Sequence, residues 1–223
     1  MSPNELPLGS NAFYSGYVID AMRKIIAALQ VSVDGFIEGP NGEMDWLMTT
    51  DEEVWKEEFE MLDHIDTLIL GSKMYPGYAQ YWMSVLANPN DPLPENGSFA
   101  SKYHIAYAAF ADKTPHFVLS KTLDKVAWKN TQIIRQVDEI RELKKKSGKD
   151  IYAVGGATLV SSLMNLGLID ELQLRVNPII LGGGKALFKD LKQRHSLKLA
   201  AAKSLRSGMV NLIYVTQPMN VSA

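Results

Sequence analysis

The sequence contains no cysteine. That absence excludes a disulfide framework, a thiol nucleophile and thiolate metal ligation, and it suits a reducing compartment, so a cytoplasmic location is expected. Histidine is scarce: His64, His104, His116 and His195 are the whole set. No two of them stand at metal-ligand spacing, and neither H-E-x-x-H nor G-x-S-x-G occurs, so neither a metal site nor an esterase-type nucleophile is expected. Charge of one sign is also lacking, with 23 Lys and Arg against 25 Asp and Glu and a formal net charge of -2. A chain so balanced has no general attraction for nucleic acid or anionic membrane. No apolar run approaches the roughly 20 residues that span a bilayer. The first 21 residues, MSPNELPLGSNAFYSGYVIDA, lack both the basic and the apolar regions of a signal peptide. They read as a disordered leader or a mis-assigned start before Met22, and 218–223 as a tail. The partners left by these exclusions are small molecules or other protein chains.

What is present is enough apolar sequence, 46% of 223 residues with 22% charged, for one α/β domain over 22–217. Its organising stretch is DIYAVGGATLVSSL, from Asp150 to Leu163. The apolar run Ile151 to Val154 ends at Gly155 and Gly156 and turns straight into a helical pattern. Two glycines leave no side chain at the bend, so a ligand can lie against the backbone while the first helical N–H groups point at it. The same residues would also serve as a tight turn with nothing bound.

Taken in order, KIIAALQVSV (24–33) begins like a buried central strand, followed by the Asp34–Gly35 turn and a loop holding Gly39, Pro40, Asn41 and Gly42. From Asp51 to Leu62, Trp55, Phe59 and Leu62 recur at helical spacing, with acids expected on a solvated face. DTLILG (66–71) is a short strand leading to Ser72 and Lys73, where Ser72 is expected to cap the next helix. PHFVL (115–119) is a strand ending at Ser120 and Lys121; Val126 to Ile134 reads as another. Val137, Ile140 and Leu143 mark a helix, with Lys144, Lys145 and Lys146 at its end. ELQLRV (171–176) is a strand, PIILGGGKALF (178–188) a glycine-rich turn, and 197–204 and 210–217 are closing antiparallel strands. The pattern predicts a three-layer α/β/α architecture, a mainly parallel sheet with helices on both faces and an antiparallel edge. A P-loop fails at Ile179 and Ala186, and the dinucleotide fingerprint fails at Leu187 and Ala157.

LGSKM (70–74), VLSK (118–121), YAVGGATL (152–159), GLIDEL (167–172) and PIILGGGKALF (178–188), with SVDG (32–35), resemble the reductase domain at the C-terminal end of the bifunctional riboflavin-biosynthesis deaminase/reductase. The resemblance covers about residues 22 to 217 and implies the dihydrofolate reductase fold. It further implies NADPH across the ends of the parallel strands. Its pyrophosphate would lie at Gly71, Ser72 and Lys73 and at Gly156, Ala157, Thr158 and Leu159, with Met74 a further cofactor-binding residue. Its 2′-phosphate would lie near Ser72, Lys73, Ser120 and Lys121, beside Leu119, and the nicotinamide by a cis peptide joining Gly155 to Gly156. Gly42 is carried over as a cofactor-loop residue. Asp34 is the expected polar contact to substrate, and Asp51, five residues after Trp46, the second candidate acid. Each has a plain alternative, a turn for Asp34 and a helix cap for Asp51.

Two departures bear on substrate. Lys113, Thr114 and Pro115 stand where dihydrofolate reductases carry an arginine, which disfavours folate, and Val154 stands where the riboflavin enzyme usually has an acid. Two functions follow. One is an NADPH-dependent reductase of a pterin-like or ribosylamino-pyrimidine heterocycle; the other is a non-catalytic nucleotide-binding or regulatory protein. A homodimer is expected from the resemblance.

Overall fold

The computed structural model describes residues 22–47, 51–93 and 97–217. The chain begins with β1 (Ile25–Ser32), β2 (Phe36–Glu38), α1 (Glu52–Leu62), β3 (Ile65–Gly71) and α2 (Tyr75–Ala87). It continues with α3 (Lys102–Lys113), β4 (His116–Leu119), β5 (Thr131–Ile134), α4 (Val137–Lys145), β6 (Asp150–Ala153) and α5 (Ala157–Asn165). It closes with β7 (Glu171–Asn177), β8 (Lys185–Ala186), β9 (Leu197–Ser204) and β10 (Val210–Thr216). Eight strands form one sheet in the order β5-β4-β3-β6-β1-β7-β10-β9. Every neighbouring pair from β5 to β7 is parallel, and β10 joins β7 and β9 antiparallel. The expected parallel sheet with an antiparallel edge is therefore the observed one.

The layers follow from strand alternation. Ile25, Ile26, Ala27 and Ala28 of β1 are all at most 5% exposed, because β1 is central and covered on both faces. Ile25 and Ala27 pack with Ile140 and Leu143 of α4 and Leu159, Val160 and Leu163 of α5. Ile26 and Ala28 pack with Met61 and Leu62 of α1, Tyr75, Tyr78 and Ala79 of α2, and Tyr107 and Ala111 of α3. Each fully buried aliphatic side chain contributes about 1.5–3 kcal/mol. No helix among the described residues is long and apolar enough to cross a membrane.

Local expectations differ from the structure at three places. Ser72 caps nothing: α2 starts at Tyr75 with Met74 as its N-cap and no side-chain cap. Pro76 in the first turn supplies the fixed φ and needs no N–H partner there. Strand β5 is confined to Thr131–Ile134, because the N–H groups of Ala127 and Trp128 donate to the Tyr75 hydroxyl (3.1 and 3.0 Å) instead of to a ladder. The acids of α1 are not simply solvated. Glu58 is buried and pairs with Arg175, Glu57 pairs with Lys203 and Glu53 with Arg206, since α1 lies across the β7–β10–β9 edge.

The glycine-rich turn pairs β8 with β2. At Gly184, φ 127°, a Cβ would collide with the Glu38 carbonyl, so the close approach needs glycine.

Candidate functional site

Strands β3, β4 and β6 end side by side, with Gly71 opposite Leu119 and Ile69 opposite Ala153. Beyond β6 the chain passes Val154 and bends at Gly155 (φ 108°) and Gly156 (φ 81°) into α5. The expected cis bond between them is not formed: no peptide bond among the described residues is cis. Two positive φ angles make the bend instead, a conformation glycine takes without strain. A Cβ built on Gly156 meets nothing within 4 Å, so the backbone here faces open space. The first turn of α5 has no side-chain cap, which leaves its N–H groups directed along the helix axis toward the same space.

That space is a cavity of about 1240 Å³. A single small-molecule pocket occupies about 300–1,000 Å³, so two molecules can lie here side by side. Gly71, Ser72, Lys73, Met74, Leu119, Ser120, Lys121, Gly155, Gly156, Ala157, Thr158 and Leu159 all line it. Ser120 is buried, and its Oγ accepts from the N–H groups of Thr122 (3.2 Å) and Leu123 (2.9 Å), so its hydroxyl hydrogen remains to donate. Lys73 and Lys121 are exposed and make no ion pair among the described residues. Arg135, at the end of β5, joins them on the cavity wall and donates to the Ser120 carbonyl at 3.0 Å. It was legible by the same rule as the lysines, a cation just past a parallel strand.

The structure does not bring Gly42, Asp34 or Asp51 to this wall. Gly42 closes a turn by donating to the Gly39 carbonyl at 3.0 Å. The Asp34 carboxylate accepts from the Ser32 hydroxyl (2.7 Å) and from the N–H groups of Leu181 (3.2 Å) and Gly182 (2.8 Å). It thereby ties the glycine-rich turn to the end of β1, and the Ser32 hydroxyl above all holds it below the usual carboxylate range. Asp51 is the N-cap of α1, accepting from Glu53 N–H at 2.7 Å and Val54 N–H at 3.3 Å. Burial works to raise its pKa, and hydrogen bonds to the carboxylate bring it below normal. For both acids the plain alternative describes what the side chain does.

The inner end of the cavity contains residues that the sequence reading missed. Trp55 and Glu58 of α1, Tyr78 and Trp82 of α2, Tyr107 of α3, Tyr152 of β6 and Arg175 of β7 line it. The rings touch: Trp82 and Tyr107 have centroids 4.3 Å apart, and Trp55 and Tyr107 6.0 Å. The Tyr78 and Tyr107 hydroxyls lie 3.3 Å apart, and burial pushes both phenols above their ordinary pKa. Helical spacing puts Trp55 and Glu58 on one face of α1, and strand alternation puts Gln173, Arg175 and Asn177 on one face of β7. Those two signals were available; that the faces meet was not.

The model of the RibD C-terminal domain matches residues 23–211. Uncharacterized protein YyaP of Bacillus subtilis is 36% identical over 196 residues, which cover 86% of this chain and 94% of that one. Uncharacterized protein YwjB of the same organism is 29% identical over 195 residues, 86% and 98% of the two chains. Among solved structures, a putative riboflavin biosynthesis protein from Shewanella sp. PV-4 superposes with TM-score 0.63 at 21% identity, covering 87% of this chain and 99% of the other. Dihydrofolate reductase from Enterococcus faecalis, complexed with NADP(H) and RAB-propyl, gives TM-score 0.55 at 17% identity, covering 87% and 96%. At such identities the solved structures establish the fold, which is that of dihydrofolate reductase. With almost all of the described sheet, including the glycine bend and the cavity wall, inside the matched span, the chain belongs to the RibD C-terminal domain family.

Proposed function

We propose that the protein is an NADPH-dependent reductase of a planar heterocycle, pterin-like or a ribosylamino-pyrimidine. The cofactor lies along the ends of β3, β4 and β6, and the substrate lies in the aromatic chamber. One observation carries this reading: the side-chain-free bend at Gly155 and Gly156 opens onto a cavity large enough for two molecules. The residues fit the cofactor. Uncapped N–H groups at the start of α5 suit a pyrophosphate. Ser72, Lys73, Ser120, Lys121 and Arg135 supply hydroxyls and cations for a 2′-phosphate. Bound there, NADPH supplies a hydride. The chain's own part is to hold the heterocycle flat between aromatic faces, to keep water out and to fix the reacting atoms at contact distance.

A second reading, nucleotide binding without turnover, has one observation in its favour: Asp34 and Asp51 are committed to hydrogen bonds outside the cavity. The two are separated by titrating NADPH while following its fluorescence, then measuring its oxidation with pterin and pyrimidine substrates. Saturable binding with oxidation supports the reductase, and saturable binding with no oxidation supports the second reading. A chain that ignores millimolar NADPH removes both.

A further inference from the structure

Every Lys, Arg and His of the chain lies among the described residues. Six of the Lys and Arg side chains line the cavity, and they are not spread evenly over it. Lys73 stands just past β3, Lys121 just past β4 and Arg135 just past β5, which puts three of them at the open end. Lys185, in β8, is paired with Glu38 at 2.6 Å. Lys189 follows Leu187, which packs with α4 and α5, whereas the inner chamber belongs to the α1–α3 face of the sheet. Of the six, only Arg175 belongs to the chamber, and it pairs with Glu58; the two side chains are 6% and 8% exposed. Burial opposes the charge on Arg175, and the Glu58 carboxylate outweighs burial and raises the pKa, so the guanidinium stays charged and the pair sums to zero. The one histidine on the wall, His104, has its Nδ1 2.7 Å from the Ser101 hydroxyl at the start of α3.

That distribution separates ligands by charge. A phosphate or carboxylate held among Trp55, Trp82 and Tyr107 would be an unpaired charge in an apolar site, because the one Arg or Lys there is already neutralised. To find a cation it would have to reach Lys73 or Lys121 at the open end. Those are the side chains that the phosphates of a dinucleotide would occupy in a complex holding both molecules. A planar ring without formal charge avoids both penalties and still gains contact with the aromatic faces.

We propose that the chamber selects heterocycles that carry no phosphate or carboxylate, so that the substrate is an unphosphorylated pterin or aminopyrimidine and not a sugar-phosphate derivative of either. This rests on the reductase reading and narrows it, and its test is separable from that reading. Two matched pairs of probes serve: neopterin with its 3′-phosphate, and 5-amino-6-ribitylaminouracil with its 5′-phosphate. Within a pair the ring is the same and only the phosphate differs. Binding to the full chain is followed by quenching of tryptophan fluorescence, since Trp55 and Trp82 line the chamber. The titrations are made with saturating NADP+, which blocks the open end, and NADP+ affinity is measured separately.

With NADP+ bound, the unphosphorylated member of each pair is expected to bind at least about tenfold tighter, a small part of the penalty for an unpaired buried charge. Glu58→Gln leaves the charge of Arg175 uncompensated, and it should shrink that ratio to within about threefold. If Glu58→Gln does not fold, Tyr81→Lys adds a cation beside Trp82 on the same wall and should shrink the ratio likewise. A phosphorylated probe that binds the wild type as tightly as its partner, or a ratio that the added positive charge does not change, overturns the proposal. So does absence of binding by all four probes in a chain that binds NADP+. Should NADP+ fail to bind, the same ratio is measured in Lys73→Ala with Lys121→Ala, where the open-end lysines are gone. A tenfold preference there refutes the cofactor reading and leaves the chamber assignment standing, and equal binding removes the chamber assignment.

Discussion

The two ends of the parallel sheet are built in opposite ways. At the N-terminal ends of the strands, carboxylates sew neighbouring segments together. Asp66 accepts from Lys149 N–H at 2.7 Å, Asp150 from Lys24 N–H at 2.8 Å and Asp170 from Ile25 N–H at 2.7 Å. Asp66 also pairs with Arg23, and Asp170 with Lys144 at 2.5 Å. At the C-terminal ends stand Gly71, Gly155 and Gly156, with Lys73 and Lys121 carrying no ion pair among the described residues. Charges at the first end are matched within the chain; at the second, Arg135 pairs with Asp124 and Lys185 with Glu38, and Lys73 and Lys121 face the cavity without an ion pair among the described residues. Stability and ligand binding are therefore separable by position, which is the general habit of open α/β sheets whose ligands lie beyond the carboxyl ends of the strands.

The sharpest way to break that contrast is at the sewn end. Asp66→Ala leaves the guanidinium of Arg23, only 6% exposed, without its carboxylate. A loss of about 3 kcal/mol in urea unfolding is expected, the low end for breaking a buried pair because Asp66 is itself 39% exposed. NADPH affinity of the folded protein should not change; a loss of affinity comparable to the loss of stability would show the two ends to be coupled.

Acid should act on the same end through His116, the first residue of β4, which has no exposed surface. Burial lowers its pKa from 6.5 to about 4. The folded chain therefore refuses a proton that the unfolded chain accepts. Stability is complete above about pH 6.5, falls as pH drops toward about 4 and then levels off for this group, a loss of about 3 kcal/mol. Comparing unfolding free energies across that range for the wild type and His116→Phe, which removes the titration, checks it: the slope should flatten in the variant.

At the open end ligand binding is expected to suffer as well as stability. Gly156→Ala should reduce stability by about 1–3 kcal/mol, the penalty for an L-residue at φ 81° and ψ 133°, a backbone region essentially reserved for glycine, although the new Cβ meets no protein atom. The methyl group does enter the cavity where the cofactor backbone contact is proposed, so NADPH affinity should fall about tenfold, read by fluorescence titration. A variant that binds NADPH normally would show that the bend is only a turn.

The architecture was legible because it rests on local signals. The both-faces-buried run of β1, the amphipathic faces of α1 and α4 and the glycine bend before α5 all stood where the sequence placed them. The open end was legible for the same reason, since a cation or glycine just past a strand declares its own position. The inner chamber was not. Glu58 read as one acid among several on a solvated face, and Arg175 as one polar residue in a strand, because only the crossing of α1 over β7 buries them against each other. Asp34 and Asp51 show the converse: their local hydrogen bonds could be anticipated from the turn and helix-cap readings. A carboxylate next to a turn or a helix start has backbone donors at hand, and those donors were enough to hold it.

The smallest expected effect is the one that best tests which phosphate of the proposed cofactor would lie at the open end. Lys121 is exposed and makes no ion pair among the described residues, so Lys121→Ala should leave stability within about 0.5 kcal/mol of wild type. An exposed lysine contributes about 0.2–1 kcal/mol to an ion pair, so NADPH affinity should weaken by no more than about fivefold, and less at higher salt. NADH lacks the 2′-phosphate, and its affinity should not move. The ratio of the two affinities, followed against ionic strength, isolates that one contact from any change in the fold. Lys73→Ala supplies the contrast: at the turn leading to α2 it lies where a pyrophosphate shared by both dinucleotides would also be felt. A parallel loss for NADH and NADPH in Lys73→Ala, beside a loss confined to NADPH in Lys121→Ala, would assign the two cations to different phosphates. Equal losses for both dinucleotides in Lys121→Ala would remove the 2′-phosphate from the end of β4.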